Sequence, residues 1–179
     1  MGIWGGDGCC GKRPDLLGPI STNPEILGVK MSETRVEQSP SGKYTLHISL
    51  SKKNETHWQF SMARVEDGEK NISVIHRNYP SFPFAWIEGH PDGHDYLICG
   101  EDYQGQTIIQ LDTGLRKDYL PKIGGFCWIV IDPVEKTQLR VEGCYWAAPE
   151  EIVLYDFSNP MEMPYPELDR WFDDLEDDD

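Results

Sequence analysis

The stretch FCWIVIDPVEKTQLRVEGCYWAAPE, residues 126–150, carries two Trp, two Cys and one Gly within what otherwise reads as a hairpin, and no other stretch is so dense in residue types that could do chemistry. Folding it back about DPVEK sets Trp128 opposite Gly143, Val130 opposite Val141 and Phe126 opposite Tyr145 on one face. The other face then receives Cys127 opposite Cys144 and Ile129 opposite Glu142, with Trp146 at its end. Paired thiols suit a redox couple or part of a metal site, but tetrahedral zinc takes four ligands and this face offers two. The packing account is simpler: the thiols act as small hydrophobes without a disulfide, and the Trp128 indole covers the bare backbone of Gly143.

A second cluster is HPDGH, where His90 and His94 stand close to Asp92, Asp95 and Cys99. These are zinc-ligand types, although Pro91, Asp92 and Gly93 equally make a tight turn. GDGCCGKR, residues 6–13, has the Gly-x4-Gly-Lys spacing of a phosphate-binding loop. Arg13 replaces the Ser or Thr that would hold magnesium, and no buried strand precedes the loop, so the match fails on context. Gly2 followed by Cys9 and Cys10 offers positions for a myristoyl chain and palmitoyl groups, the two signals that stable membrane anchoring needs. Gly6 occupies the place of the Ser or Thr expected after an acylated Gly.

IIQLDTGL, residues 108–115, resembles the active-site segment of retroviral-type aspartic proteases. That resemblance implies a dimer in which Asp112 shares a proton with its twin from a second subunit. Leu115 departs from the small residue expected there, and the supporting hydrophobic pair followed by Gly is missing downstream. A strand ending in an Asp-Thr-Gly turn accounts for the same residues. There is no Gly-x-Ser-x-Gly elbow, Cys-x-x-Cys or His-Glu-x-x-His, and no cofactor is expected.

The elements that must position these groups read as strands. KYTLHISLS places Tyr44, Leu46, Ile48 and Leu50 on one side, the alternation of a half-buried strand, and THWQFSMARV repeats it. Further candidates lie at 72–76, 84–88, 96–100, 106–112, 126–131, 138–145 and 151–157, separated by breaks such as EDG, HPDGH, DTG and DPVEK. Links this short join antiparallel neighbours. Tyr44, Trp86 and Trp128 recur at an equal spacing of about 42 residues, close to the length of a propeller blade, although three blades fall short of a usual closed ring. The expected fold is all-β, an antiparallel β-meander closed as a sandwich, barrel or propeller-blade-like stack over residues 39–163.

Two flanks differ from this body. Residues 1–38 are Gly- and Pro-rich without period and read as an irregular arm, packed on the sheet or a partner through Trp4, Leu16, Leu17, Ile20, Ile26 and Leu27. Residues 164–179 read as an acidic-aromatic recognition segment, a short helix or tail with Tyr165, Leu168, Trp171, Phe172 and Leu175 as its apolar side. The helical spacing puts Leu168, Trp171, Phe172 and Leu175 on one face.

Hydrophobic residues at 39% and aromatics at 11% exclude a disordered chain, and the net charge of −15 shows no basic face, so nucleic acid is not an expected partner. A protein partner or a second copy is. No apolar run is long enough to span a bilayer and none forms a signal core, so membrane contact would depend on lipidation. Five Cys, an odd number, fit reduced thiols and an intracellular, non-secreted setting.

DYLICGEDYQGQ, FCWIVIDP and GCYWAAPEEIVLYDFSNP resemble an uncharacterised family of giant DNA viruses of the marseillevirus type, with scattered cellular homologues. The likeness covers roughly residues 39–165 and rests on aromatic and Cys/Gly spacings. It implies a viral origin and a place in the host cytoplasm or the virion, with no catalytic residues to carry over. The expectation is a non-enzymatic structural or interaction protein; the alternative is a dimeric aspartic peptidase using Asp112.

Overall fold

The computed structural model describes residues 31–51, 59–68, 70–77, 79–100, 105–122, 125–145 and 150–172. The described residues form twelve strands and no helix: β1 (Met31–Gln38), β2 (Tyr44–Ser51), β3 (Ser61–Asp67), β4 (Lys70–Arg77), β5 (Phe84–Ile87), β6 (Tyr96–Gly100), β7 (Gln106–Gln110), β8 (Leu115–Tyr119), β9 (Cys127–Glu135), β10 (Gln138–Cys144), β11 (Glu151–Asp156) and β12 (Glu167–Phe172). They build three four-stranded antiparallel meanders in chain order, β1–β4, β5–β8 and β9–β12, with no closed barrel. The repeated meander expected from the sequence is therefore present. Trp86 and Trp128 sit on the first strands of the second and third sheets, while Tyr44 opens the second strand of the first.

The sheets stack as layers, because two apolar clusters share the middle one. Tyr44, Leu46, Ile48, Ala63, Val65 and Ile75 of the first sheet pack on Leu97, Cys99, Ile109 and Leu111. Ile98 and Ile108, of opposite strand parity, pack on Trp128, Ile131, Leu139, Val141 and Val153 of the third. A strand covered on both faces has no solvent side, which is why β6 and β7 are buried at every position.

Polar staples join the layers. Tyr44 Oη donates to Asp95 Oδ2 at 3.0 Å and Ser41 N to Glu88 Oε2 at 2.9 Å, joining the first and second sheets. Strand β8 reaches in both directions, since Arg116 Nη1 donates to Val74 O at 2.7 Å while Lys117 Nζ donates to Met161 O at 2.6 Å.

Several sequence expectations are corrected. Residues 31–38 are no arm but strand β1, and the boundary drawn at 38/39 falls in the β1–β2 turn, where Gly42 N donates to Ser39 O at 2.8 Å. The C-terminal segment, expected as a short helix or tail, is strand β12 over Glu167–Phe172, paired with β11 from Glu151↔Phe172 to Tyr155↔Glu167. Strand β8, LRKDY, had no apolar alternation to announce it. Residues 132–135 of DPVEK continue β9 rather than turn. The arm residues Trp4, Leu16, Leu17, Ile20, Ile26 and Leu27, the acylation positions Gly2, Cys9 and Cys10, and Trp146 and Leu175 lie outside the described residues.

The hairpin register is half as expected. Gly143↔Trp128 and Cys144↔Cys127 are partners, but a bulge follows, so Val141 meets Ile131 and Glu142 meets Val130. The bulge leaves Ile129 the extra residue on β9. Trp128 is buried, yet the ring that covers Gly143 belongs to Phe126: a Cβ there would lie 2.9 Å from Phe126 Cε1 and 2.1 Å from Cys127 O.

Candidate binding groove

The third sheet ends against the second in a rim rich in aromatics, and the strand pattern explains why. Phe126 and Trp128 alternate with Cys127 and so share the inner face, which Tyr155 joins from β11. Tyr165 closes the row: its ring lies 6.4 Å from Trp128 and 5.1 Å from Phe157, and Trp128 lies 5.2 Å from Tyr155. These edge and tilted geometries are the favoured ones for quadrupolar rings. Tyr165 Oη donates to Pro160 O at 2.7 Å, so the phenol has a partner inside the core.

Where this wall meets the β8–β9 connection, a groove of about 590 Å³ opens, lined by Tyr119, Leu120, Pro121, Lys122, Phe126, Trp128, Tyr145, Tyr155, Tyr165 and Glu167 among others. Its lining mixes aromatic rings with the polar Gln106, Lys122 and Glu167. Its back wall is closed and its rim open, since Trp128, Tyr155 and Tyr165 are 5–6% exposed against 67% for Leu120 and 37% for Tyr145. Lys122 and Glu167 put one charge of each sign on the lining.

Arg170, half-buried on β12, frames the groove. Its guanidinium lies 5.3 Å from the Phe126 ring centre and 5.4 Å from that of Tyr145. Nη2 donates to Glu167 Oε1 at 2.6 Å and Nη1 to Glu151 Oε2 at 2.5 Å. Its pKa is raised, chiefly by the bond to Glu167 and then by that to Glu151, so the guanidinium stays charged. Burial, seconded by Glu167, raises the Tyr155 phenol, and burial alone leads in raising Tyr165. The wall therefore offers neutral phenols and π-faces, with charge confined to the rim.

The residues singled out from sequence fall apart into different roles. Tyr165 belongs to the groove wall and core. Leu168, Trp171 and Phe172 are 51%, 38% and 59% exposed on β12, the outermost strand of its sheet, but a strand turns Trp171 and Phe172 to opposite faces rather than to one helical stripe.

His90, His94 and Cys99 do not converge. His90 is buried, and its Nε2 is 3.1 Å from Phe157 O, a staple between the second and third sheets. Its ring stands edge-on to Tyr96 and Phe157. Cys99 is fully buried on the opposite face of β6, in the cluster with the first sheet. Among the described residues no group of three or more His, Cys, Asp or Glu could hold a metal ion.

His94, by contrast, is half-exposed and its Nδ1 lies 2.7 Å from Asp112 Oδ2. That bond raises the imidazole pKa above its ordinary value. The Asp-Thr-Gly segment forms the β7–β8 turn, with Gly114 at φ 76°, where a side chain would strain the backbone. Asp112 thus faces an imidazole across two turns of one sheet. Asp95 and Asp92 are held below the usual carboxylate range, against the opposing effect of their burial, by donors including Gly89 N and the Tyr44 and Tyr96 phenols.

No signal in the sequence pointed to Tyr119, Lys122, Tyr145 or Glu167 as one site, since they come from separate segments of two sheets. The aromatic density of residues 126–146 was the nearest sign.

Over 155 residues the chain is 32% identical to an uncharacterised protein of Acanthamoeba polyphaga mimivirus, a match that takes in 80% of this chain and 60% of that protein. The chain is thus similar to a giant-virus protein of unknown function and spans 60% of the length of the curated relative it matches. No family model matches it. No solved structure matches it.

Proposed function

We propose that this is a viral, non-enzymatic interaction protein, acting in the host cytoplasm or the virion, that binds a protein partner or a second copy of itself through the aromatic groove and the adjoining strand β12. The observation that carries the reading is the closed wall of Trp128, Tyr155 and Tyr165 behind an open rim that bears Tyr145, Lys122 and Glu167. Aromatic anchors with a polar rim are the usual composition of protein recognition surfaces. Strand β12 adds exposed Leu168, Trp171 and Phe172 beside a sheet edge, where an extended segment adds as a further strand. The viral placement is supported by the likeness to the mimivirus protein.

The test compares the full chain with a Tyr145→Ala/Trp171→Ala variant, both immobilised and exposed to extract of virus-infected cells. A defined protein retained by the first and lost by the second supports the reading; identical retention refutes it. The peptidase alternative is decided on the same preparations with a generic peptide library at mildly acid pH. Turnover abolished by Asp112→Asn would replace an interaction role with an enzymatic one.

A further inference from the structure

The inner face of the β9–β10 hairpin belongs to the core and the groove, which leaves its outer face unexplained. There Cys127 and Cys144 are direct partners, both half-buried, and neither is in a disulfide. We propose that this pair is a reversible redox-modification site, closed to a cross-strand disulfide by a small-molecule disulfide such as oxidised glutathione.

Three observations support it. Directly opposed residues of an antiparallel pair stand about 4.5 or 5.5 Å apart at Cα, inside the window of about 4.4–6.8 Å that a disulfide spans. The neighbouring rung is closely apposed, since only the missing side chain of Gly143 lets Cys127 O approach to where a Cβ would lie 2.1 Å away. The face is reachable: the neighbouring Ile129 and Val130 are 45% and 38% exposed. Cys99, fully buried between two sheets, has no such access.

In the reaction one cysteine thiolate attacks a glutathione sulfur, forming a mixed disulfide and releasing one glutathione thiolate. The opposed cysteine, as thiolate, then attacks the protein sulfur of that mixed disulfide and expels the second glutathione. The two thiols lose two protons and two electrons, and oxidised glutathione becomes two reduced molecules. Phe126, Trp128 and Tyr145 are chain neighbours of these cysteines, so the link would pin the hairpin end that supplies part of the groove lining. The proposal holds whether or not the groove binds a partner.

The test treats the folded full-length chain with oxidised glutathione, blocks residual thiols and maps peptides by mass spectrometry without reduction. The expected product is a Cys127–Cys144 linked peptide, two hydrogens lighter and free of glutathione, returned to thiols by reduced glutathione. Cys127→Ser should leave Cys144 as a stable glutathione adduct, and Cys144→Ser should do the same for Cys127. The melting temperature of the oxidised protein should rise by several degrees, as expected for closing a loop of this length. Stable adducts on both cysteines of the unaltered chain, links to other cysteines or to a second chain, or no reaction would overturn the proposal. Should the serine variants fold poorly, the map of the unaltered chain decides alone.

Discussion

Replacing Gly143 by Ala tests the hairpin and the groove wall together. The added methyl would sit 2.1 Å from Cys127 O and 2.9–3.0 Å from Phe126 Cε1 and Cζ. An ordinary C···O contact is about 3.3 Å, so β9 must retreat by about 1 Å. That displacement breaks or stretches the rung on either side, roughly two backbone hydrogen bonds at about 1 kcal/mol each. Displacing the buried Phe126 ring adds about 1–2 kcal/mol of overpacking. The expected loss is about 3–4 kcal/mol, within the stability of a domain this size, or about 10 °C in melting temperature. Gly68→Ala is the control: its φ of +57° makes a side chain strained, but nothing lies within 4 Å of the new Cβ, so it should cost only about 1–2 kcal/mol. Urea titrations of both variants give the comparison. If Gly143→Ala costs no more than Gly68→Ala, the close approach of β9 and β10 is wrong, and with it the placement of Phe126 and Trp128 on the groove.

Other outcomes follow from single contacts. Tyr165→Phe should cost about 1–2 kcal/mol in chemical denaturation, because Pro160 O loses its donor inside the core while the ring remains. His94 has its pKa raised by Asp112, so the contact adds stability in full below the unfolded value near 6.5, and that contribution is lost as pH rises through the higher folded value. Titration of the His94 ring by NMR should therefore show a pKa above about 6.5 that falls in Asp112→Asn. Ending the chain after Pro166 should destabilise the domain by about 2–4 kcal/mol, since β12 and the charge-assisted bonds of Arg170 go with it; an unchanged melting temperature would mean that the strand is ornamental.

What the sequence disclosed and what it hid divide along the sheets. The alternation of KYTLHISLS and the run at 96–100 marked β2 and β6 because each must bury at least one face. Strands β1, β8 and β12 left no such mark: all three are outermost in their sheets, and LRKDY and ELDRWF are almost wholly exposed. A strand at a sheet edge can carry charged and polar residues on both faces, and that composition erases the apolar period. In ELDRWF the spacing of Leu168, Trp171 and Phe172 imitated a helix face because nothing local forbade one; the ladder to β11 overrode it. The Cys127–Cys144 pairing was legible from the apolar pattern, whereas the true turn position and the bulge that shifts Val130 were not. His94 and Asp112 were each visible as candidates, but their meeting depends on two turns at one end of a sheet, a matter of tertiary placement.

The stacking of three meanders, with the middle one covered on both faces, also sets how the protein comes apart. Each outer sheet belongs to one of the two large apolar clusters, and the middle sheet belongs to both. Loss of an outer sheet would expose one apolar face, whereas loss of the middle sheet would sever both clusters at once. Amide protons of β6 and β7 should accordingly be the slowest to exchange with solvent, and partial unfolding should begin at the ends of the stack and travel inward.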